Sequence, residues 1–235
     1  MATYEHVVQV SFKQLQEKEF QYKGKWNQAF FGNNNPVILE LGCGKGEYTV
    51  KLAKHFPELN FIGIDIKGSR MWKGATQARE QGLTNVGFLR TNIENIRLFF
   101  GENEVFEIWL TFPDPQMKKA RKRLTATNFI ENYRQIMVPN GIIHLKSDSN
   151  FMYRYTEAMV VENRFEVIRK TEDLYQSDLL DEVLSIQTFY EKQWLDRGLS
   201  IKYLSFRLSH TEKLNEPEVE IEKDPYRSFG RSAKE

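Results

Sequence analysis

From Val37 onward, short apolar runs alternate with segments in which apolar residues recur every three or four positions. The runs "VILEL" (37–41), "NFIGIDI" (60–66), "NVGFLR" (85–90), "VFEIWLTF" (105–112) and "GIIHLKSD" (141–148) are short and nearly continuous, as in strands buried on both faces. Helical spacing is predicted between them over 46–56, 69–81 and 127–137, with a short helix at "NIRLFF" and another over 150–162. "FEVIRK" and "IKYLSFRL" instead alternate with the two-residue period of strands. Strand–helix alternation of this length predicts right-handed βαβ units. The expected fold is therefore α/β, a mostly parallel seven-stranded sheet with helices on both faces. No crossover helix of the same kind separates the last two strands, so an antiparallel edge pair is expected.

Residues 1–35 are polar with scattered aromatics and end at "GNNNP", and they read as an N-terminal extension to a domain over 36–210. Residues 211–235 are mixed in charge and poor in apolar side chains, which predicts a loosely held tail.

Composition narrows the class only a little. Hydrophobic residues make up 40% of the 235 and charged ones 28%, enough for a real core in an ordinary soluble chain. No apolar run reaches the roughly 18 residues of a membrane span, and the N-terminus lacks a signal-peptide core. The single cysteine, Cys43, suits a reducing compartment, so the cytoplasm is expected. Four scattered histidines and no C-x-x-C or H-E-x-x-H give no metal motif. Net charge is +1, so any attraction to a polyanion must be local.

The chemistry begins at "LELGCGKGEY". Gly42, Gly44 and Gly46 lie between a strand and a helix, where missing side chains let backbone approach a ligand at a helix N-terminus. The next strand ends on Asp65, the position from which an acid binds ribose hydroxyls in nucleotide-binding α/β folds. With Glu40 ahead of the glycines, the E-x-G-x-G-x-G spacing resembles the S-adenosylmethionine loop of Rossmann-like methyltransferases rather than a nicotinamide fingerprint. Asn92, past the third strand, stands where that class contacts adenine. Cys43 within the loop reads as a small packed residue.

"TFPDPQMKKARKRLT" follows the fourth strand. Asp114 is held between Pro113 and Pro115, and Lys118, Lys119, Arg121, Lys122 and Arg123 follow at once. In an open α/β sheet ligands bind at the carboxyl ends of strands, so Asp114 should share a crevice with the glycine loop and Asp65. A basic rim beside a methyl-donor pocket suits a nucleic-acid substrate.

These pieces, with "FIGIDIKGSR", "LKSD" and "TFYEKQWLDRG", resemble the bacterial tRNA (guanine-N7)-methyltransferases from about Phe30 to Leu208. Gln116 and Met117 replace the usual tryptophan and proline, and Asn92 replaces a common aspartate. The resemblance implies S-adenosylmethionine as donor, held by Glu40, Gly42, Gly44, Asp65, Asn92 and Asp114, with no metal. It implies a tRNA guanine as acceptor, met by Lys118, Asp148, Thr188 and Glu191, with Asp114 catalytic. Lys119, Arg121, Lys122 and Arg123 would grip tRNA backbone. "TFYE" also reads independently as a T-x-x-E capping box. The partner implied is tRNA, not a membrane, for either a monomer or a homodimer. The rival reading is a methyltransferase acting on a small molecule or protein, with the basic run a solvated face; a non-enzymatic RNA-binding module is a further alternative.

Overall fold

The computed structural model describes residue 4 and residues 6–210 and 213–227. Among these, eight strands form one sheet in the order β1-β4-β3-β2-β5-β6-β8-β7. The strands are β1 (Val7–Gln9), β2 (Val37–Leu41), β3 (Asn60–Asp65), β4 (Val86–Arg90), β5 (Val105–Thr111), β6 (Met137–Ser147), β7 (Val167–Thr171) and β8 (Lys202–Arg207). The longer helices are α1 (Phe12–Glu17), α2 (Glu47–His55), α3 (Gly68–Glu80), α4 (Thr127–Arg134), α5 (Asn150–Glu162) and α6 (Phe189–Asp196). Only β8 runs against its neighbours, pairing antiparallel with both β6 and β7. The expected parallel sheet with an antiparallel edge is present, with one strand more than expected.

That extra strand comes from the N-terminal segment. Three residues, "VVQ", pair in parallel with Phe88 to Arg90, too short a run to show periodicity. The same segment sends Trp26 into the core, stacked on Phe100 at 5.4 Å with its indole N–H donating to the Phe99 carbonyl (2.9 Å). The Glu104 carboxylate fastens it by accepting from the backbone N–H groups of Gly24, Trp26 and Gly101.

β2 is buried at all five positions because it lies centrally, with helices on both faces. It is also where strand order reverses: β3 and β4 lie to one side, β5 and β6 to the other. The crevice at such a reversal is where open α/β sheets bind ligands.

The C-terminal segment corrects an expectation. Residues 213–227 are held along the α4–α5 face by Leu214 and Ile221 against the core and by polar contacts that hydrophobic pattern does not register. Asn215 exchanges backbone–side-chain hydrogen bonds with Asn163 (2.8 and 2.9 Å). Glu216 accepts from the Thr127 N–H and hydroxyl (3.2 and 2.9 Å) and from the Tyr155 hydroxyl. Asp224, buried, accepts from the Ser149 hydroxyl and the Phe151 N–H at the start of α5.

Candidate active site

Across the carboxyl edge of the sheet, five adjacent strands deliver Asn92 after β4, Asp65 ending β3, the glycine loop after β2, Asp114 after β5 and Asp148 after β6. The shared edge expected for the glycine loop, Asp65 and Asp114 is present, and Asn92 and Asp148 lie along it too.

The loop separates its glycines by task. Gly42 and Gly44 have φ of +79° and +53°, and a Cβ at either would meet no atom within 4 Å. They face open crevice, so the cradle leaves room for a ligand's backbone-close approach. At Gly46 (φ +69°) a Cβ would meet the Phe88 ring at 2.5 Å and the Gly74 Cα at 3.2 Å. Gly46 therefore serves the packing of α2 and α3 over β4. Asp65 accepts from the Gly44 N–H (3.0 Å) and the Lys67 N–H (2.7 Å), which fixes the carboxylate while leaving lone pairs for a diol. Beside it, a recess of about 260 Å³ is lined by the half-exposed Ile66 together with Leu15, Asn92 and Phe99. Asn92 is exposed there, with its side chain uncommitted to capping the turn that follows.

Glu40 is buried beneath the loop. It accepts from the Thr49 N–H (2.8 Å) and hydroxyl through one oxygen and from the Thr111 hydroxyl (2.5 Å) through the other. These bonds tie β2, the first turn of α2 and the end of β5 into one unit. Burial pushes its carboxyl up to about 7, although the Thr111 and Thr49 bonds pull the other way. Glu40, Gly42, Gly44, Thr111, Thr188 and Tyr190 share the lining of a cavity of about 110 Å³, so Thr188 does reach the donor side of the crevice. Cys43 is buried, with its thiol pushed up by desolvation, as a packed residue should be.

In the strand-5 loop Pro113 and Pro115 are buried while Asp114 between them is exposed. The prolines thus act as feet that hold the carboxylate outward. Phe112 and Gln116 both take positive φ (+53° and +48°), and Asp114 accepts from the Gln116 N–H (3.1 Å). That Asx turn supports Gln116 in a backbone region that glutamine seldom occupies.

The basic run divides. Lys118, Lys119 and Arg121 are exposed at the rim. Lys122 pairs with Glu94 at 2.7 Å. Arg123 lies over the Tyr155 and Phe151 rings (4.3 and 4.8 Å) and donates to the Met117 carbonyl (3.3 Å). Its guanidinium anchors the run to α5 and is not presented as a phosphate contact, contrary to the sequence expectation. A local basic run does not reveal which of its members face inward.

Two expected acceptor-side residues are covered. Asp148 is 1% exposed, and its carboxylate accepts from the Tyr226 hydroxyl at 2.8 Å. Glu191 is fully buried in an ion pair with Lys146 (2.7 Å), itself fully buried. The same Glu191 oxygen accepts from the Tyr175 hydroxyl (2.8 Å), and the other accepts from the Thr188 N–H (3.3 Å). The capping box of α6 is formed as its spacing predicts, with Glu191 N–H donating back to Thr188 (3.2 Å). Glu191 therefore offers no open acceptor to a base in this arrangement. Lys146 escaped sequence reading, although a lysine inside the apolar run "IIHLKS" is a signal that a buried partner must exist. Among the described residues, no group of three or more His, Cys, Asp or Glu is placed to hold a metal. No helix among them is long and apolar enough to cross a membrane.

Residues 34–204 match the family model described as "Putative methyltransferase". Among solved structures, the 16S rRNA methyltransferase KamB superposes with a TM-score of 0.59 at 15% identity, covering 86% of this chain and 96% of that one. An antibiotic-related methyltransferase gives 0.58 at 17%, covering 85% and 94%. At such identities the likeness is one of fold, and the fold is that of the Rossmann-like S-adenosylmethionine-dependent methyltransferases. Curated relatives named tRNA (guanine-N(7)-)-methyltransferase are much nearer in sequence. That of Bacteroides thetaiotaomicron is 60% identical over 99% of this chain and 92% of its own, and that of Porphyromonas gingivalis 54% over 99% and 97%. One from Clostridium novyi is 35% identical over 84% and 91%. The chain belongs to the tRNA (guanine-N7)-methyltransferase family.

Proposed function

We propose that this protein transfers the methyl group of S-adenosylmethionine to N7 of a guanine in tRNA, forming 7-methylguanosine. The observation that carries the reading is full-length identity of 54–60% to relatives named for that activity, joined to the strand-edge array described above.

The open cradle at Gly42 and Gly44 and the backbone-fixed Asp65 fit a nucleoside donor, with Asp65 on the ribose and Ile66 and Asn92 beside the adenine. Bound there, the donor supplies an electrophilic methyl group on a sulfonium. N7 carries a free lone pair at neutral pH, so no side chain has to remove a proton from it. What remains for this chain is alignment of the two reactants and compensation of the positive charge that develops on the guanine ring. Asp114, held out by its flanking prolines, is assigned that second task, and Lys118 next to it orients the base. Once the Tyr226 bond is given up, the two carboxylate oxygens of Asp148 would accept from both N1–H and the exocyclic amine of guanine, a donor pair that adenine cannot offer. Glu191 supports this edge through Lys146, whose remaining protons go to the Leu184 and Ile186 carbonyls (2.6 and 3.0 Å). The base must leave its stack to reach the crevice, while Lys119 and Arg121 hold phosphates. A tRNA substrate fits a cytoplasmic enzyme.

The test is methylation of unmodified tRNA with labelled donor, followed by nuclease digestion and mass spectrometry of the nucleosides. Labelled 7-methylguanosine that disappears with ribonuclease pretreatment is the expected product. Label in protein, in a small molecule or at another nucleoside refutes the reading.

A further inference from the structure

The covering of Asp148 has a specific source. Tyr226 is the donor to its carboxylate oxygen (2.8 Å), and the same hydroxyl donates to the Asp148 carbonyl (3.0 Å). A phenol O–H at a carboxylate offers what the N1–H of guanine would offer. The tyrosine ring lies 5.6 Å from that of Trp194 on α6, so a planar group is already held against the site. Two further clamps hold the segment in place. Asp224 closes on the first turn of α5 at Ser149 and Phe151. Glu216 closes on Thr127, four residues past Arg123, and on Tyr155, over whose ring Arg123 lies. The strap therefore spans from the root of the basic run to the acceptor aspartate.

We propose that residues 213–227 form a strap that occludes the acceptor pocket, with the Tyr226 hydroxyl standing in for guanine on Asp148 until docked tRNA displaces it. Asp148 is 1% exposed with the strap in place, and Tyr226 holds the carboxylate oxygen that a base would need. The strap and the base compete for one acceptor, and apparent affinity for tRNA is lowered by the fraction of molecules that are closed. Arg121 lines one surface recess with Thr127 and Glu216, so an RNA phosphate gathered there acts next to the Glu216 clamp, which gives the release a trigger. The inference rests on the reading of Asp148 as the guanine acceptor.

Hydrogen–deuterium exchange on the full chain, with S-adenosylhomocysteine and with or without unmodified tRNA, tests the movement. Peptides covering 213–227 should exchange faster when tRNA is bound; equal or slower exchange overturns the strap. Tyr226→Phe tests the competition, since it removes one hydroxyl and leaves the ring. It should lower KM for tRNA about three- to tenfold, by raising the open fraction. A raised KM means that Tyr226 orients Asp148 for the base, and an unchanged KM means that the contact is only structural; either overturns the proposal. Asp148→Asn separates the two layers. If it methylates tRNA with unaltered kinetics, the assignment of Asp148 is what failed. If it is impaired while tRNA leaves the strap protected, the strap alone is wrong.

Discussion

Replacing Glu191 by glutamine separates two tasks that the same residue could perform. Its carboxylate sits 2.7 Å from the Lys146 ammonium, and neither side chain has any exposed surface. All three Lys146 protons are committed: one to Glu191, the others to the Leu184 and Ile186 carbonyls. Burial lowers the Lys146 pKa and raises that of Glu191, so desolvation is the larger influence on both partners, partly offset by their mutual attraction. Glutamine keeps the shape and the acceptor but removes the counter-charge. Breaking one side of a buried pair in this way costs about 3–5 kcal/mol. In a chain of this length that corresponds to a fall of roughly 10 °C in Tm. A lysine whose pKa is lowered on folding binds fewer protons in the native state than in the unfolded one, so the variant should regain stability as pH rises toward the ordinary lysine range. Lys146→Met with Glu191→Leu should recover only part of the loss, because the Leu184 and Ile186 carbonyls would remain buried without a donor, at about 1–3 kcal/mol each. Urea denaturation at two pH values, beside methyl transfer measured well below both melting points, is the assay. A Glu191→Gln protein within about 0.5 kcal/mol of the wild type that has lost methyl transfer would refute the structural argument and make Glu191 a base-contacting residue.

Four other outcomes are expected. Asp65→Ala should weaken S-adenosylhomocysteine by about 1–3 kcal/mol in calorimetry, and unchanged binding would remove Asp65 from the ribose site. Lys119→Ala with Arg121→Ala should flatten the log–log salt dependence of tRNA binding by about one unit per residue, whereas Arg123→Ala should lower Tm and leave that slope nearly intact; the reverse pattern would mean that the run's inward and outward members are misassigned. Glu40, pushed up to about 7, binds more protons folded than unfolded between the ordinary glutamate range and neutrality, so stability should fall by about 3 kcal/mol as pH rises through that window, and Glu40→Gln should abolish the fall. Asp114→Asn should reduce single-turnover methylation by roughly 10²- to 10³-fold with little change in tRNA affinity or Tm, and activity within about threefold of wild type would show that the charge is not catalytic.

What the sequence disclosed, and what it hid, follows from the range of the interactions involved. The glycine loop, Asp65 and Asp114 are set by local geometry: a strand ends, and the next few residues determine where the side chain or amide points. Those positions could be read from spacing alone, as could β2 to β5 and the capping box at Thr188. The same local logic fails for β1, whose three residues gain strand character only by pairing with β4, some eighty residues away. It fails within the basic run as well, because whether Arg123 faces water depends on the Tyr155 and Phe151 rings of α5.

The acceptor side depends most on distant partners. Glu191 meets Lys146 across 45 residues of chain and Asp148 meets Tyr226 across 78. In each, a polar group in a dry place has its requirement met by one particular residue far along the chain. Composition makes the C-terminal segment look unattached because only Leu214 and Ile221 of its described residues pack against the core, and its other anchors are the polar Asn215, Glu216, Asp224 and Tyr226. Anchors of that kind are individually modest and can be exchanged for water or for another polar ligand. Apolar anchors of equal strength would exclude water and would be costly to lift. A segment that must yield its place to a polynucleotide is better held by bonds that the polynucleotide can replace, and a tyrosine hydroxyl on a carboxylate is a bond that the N1–H of guanine can replace.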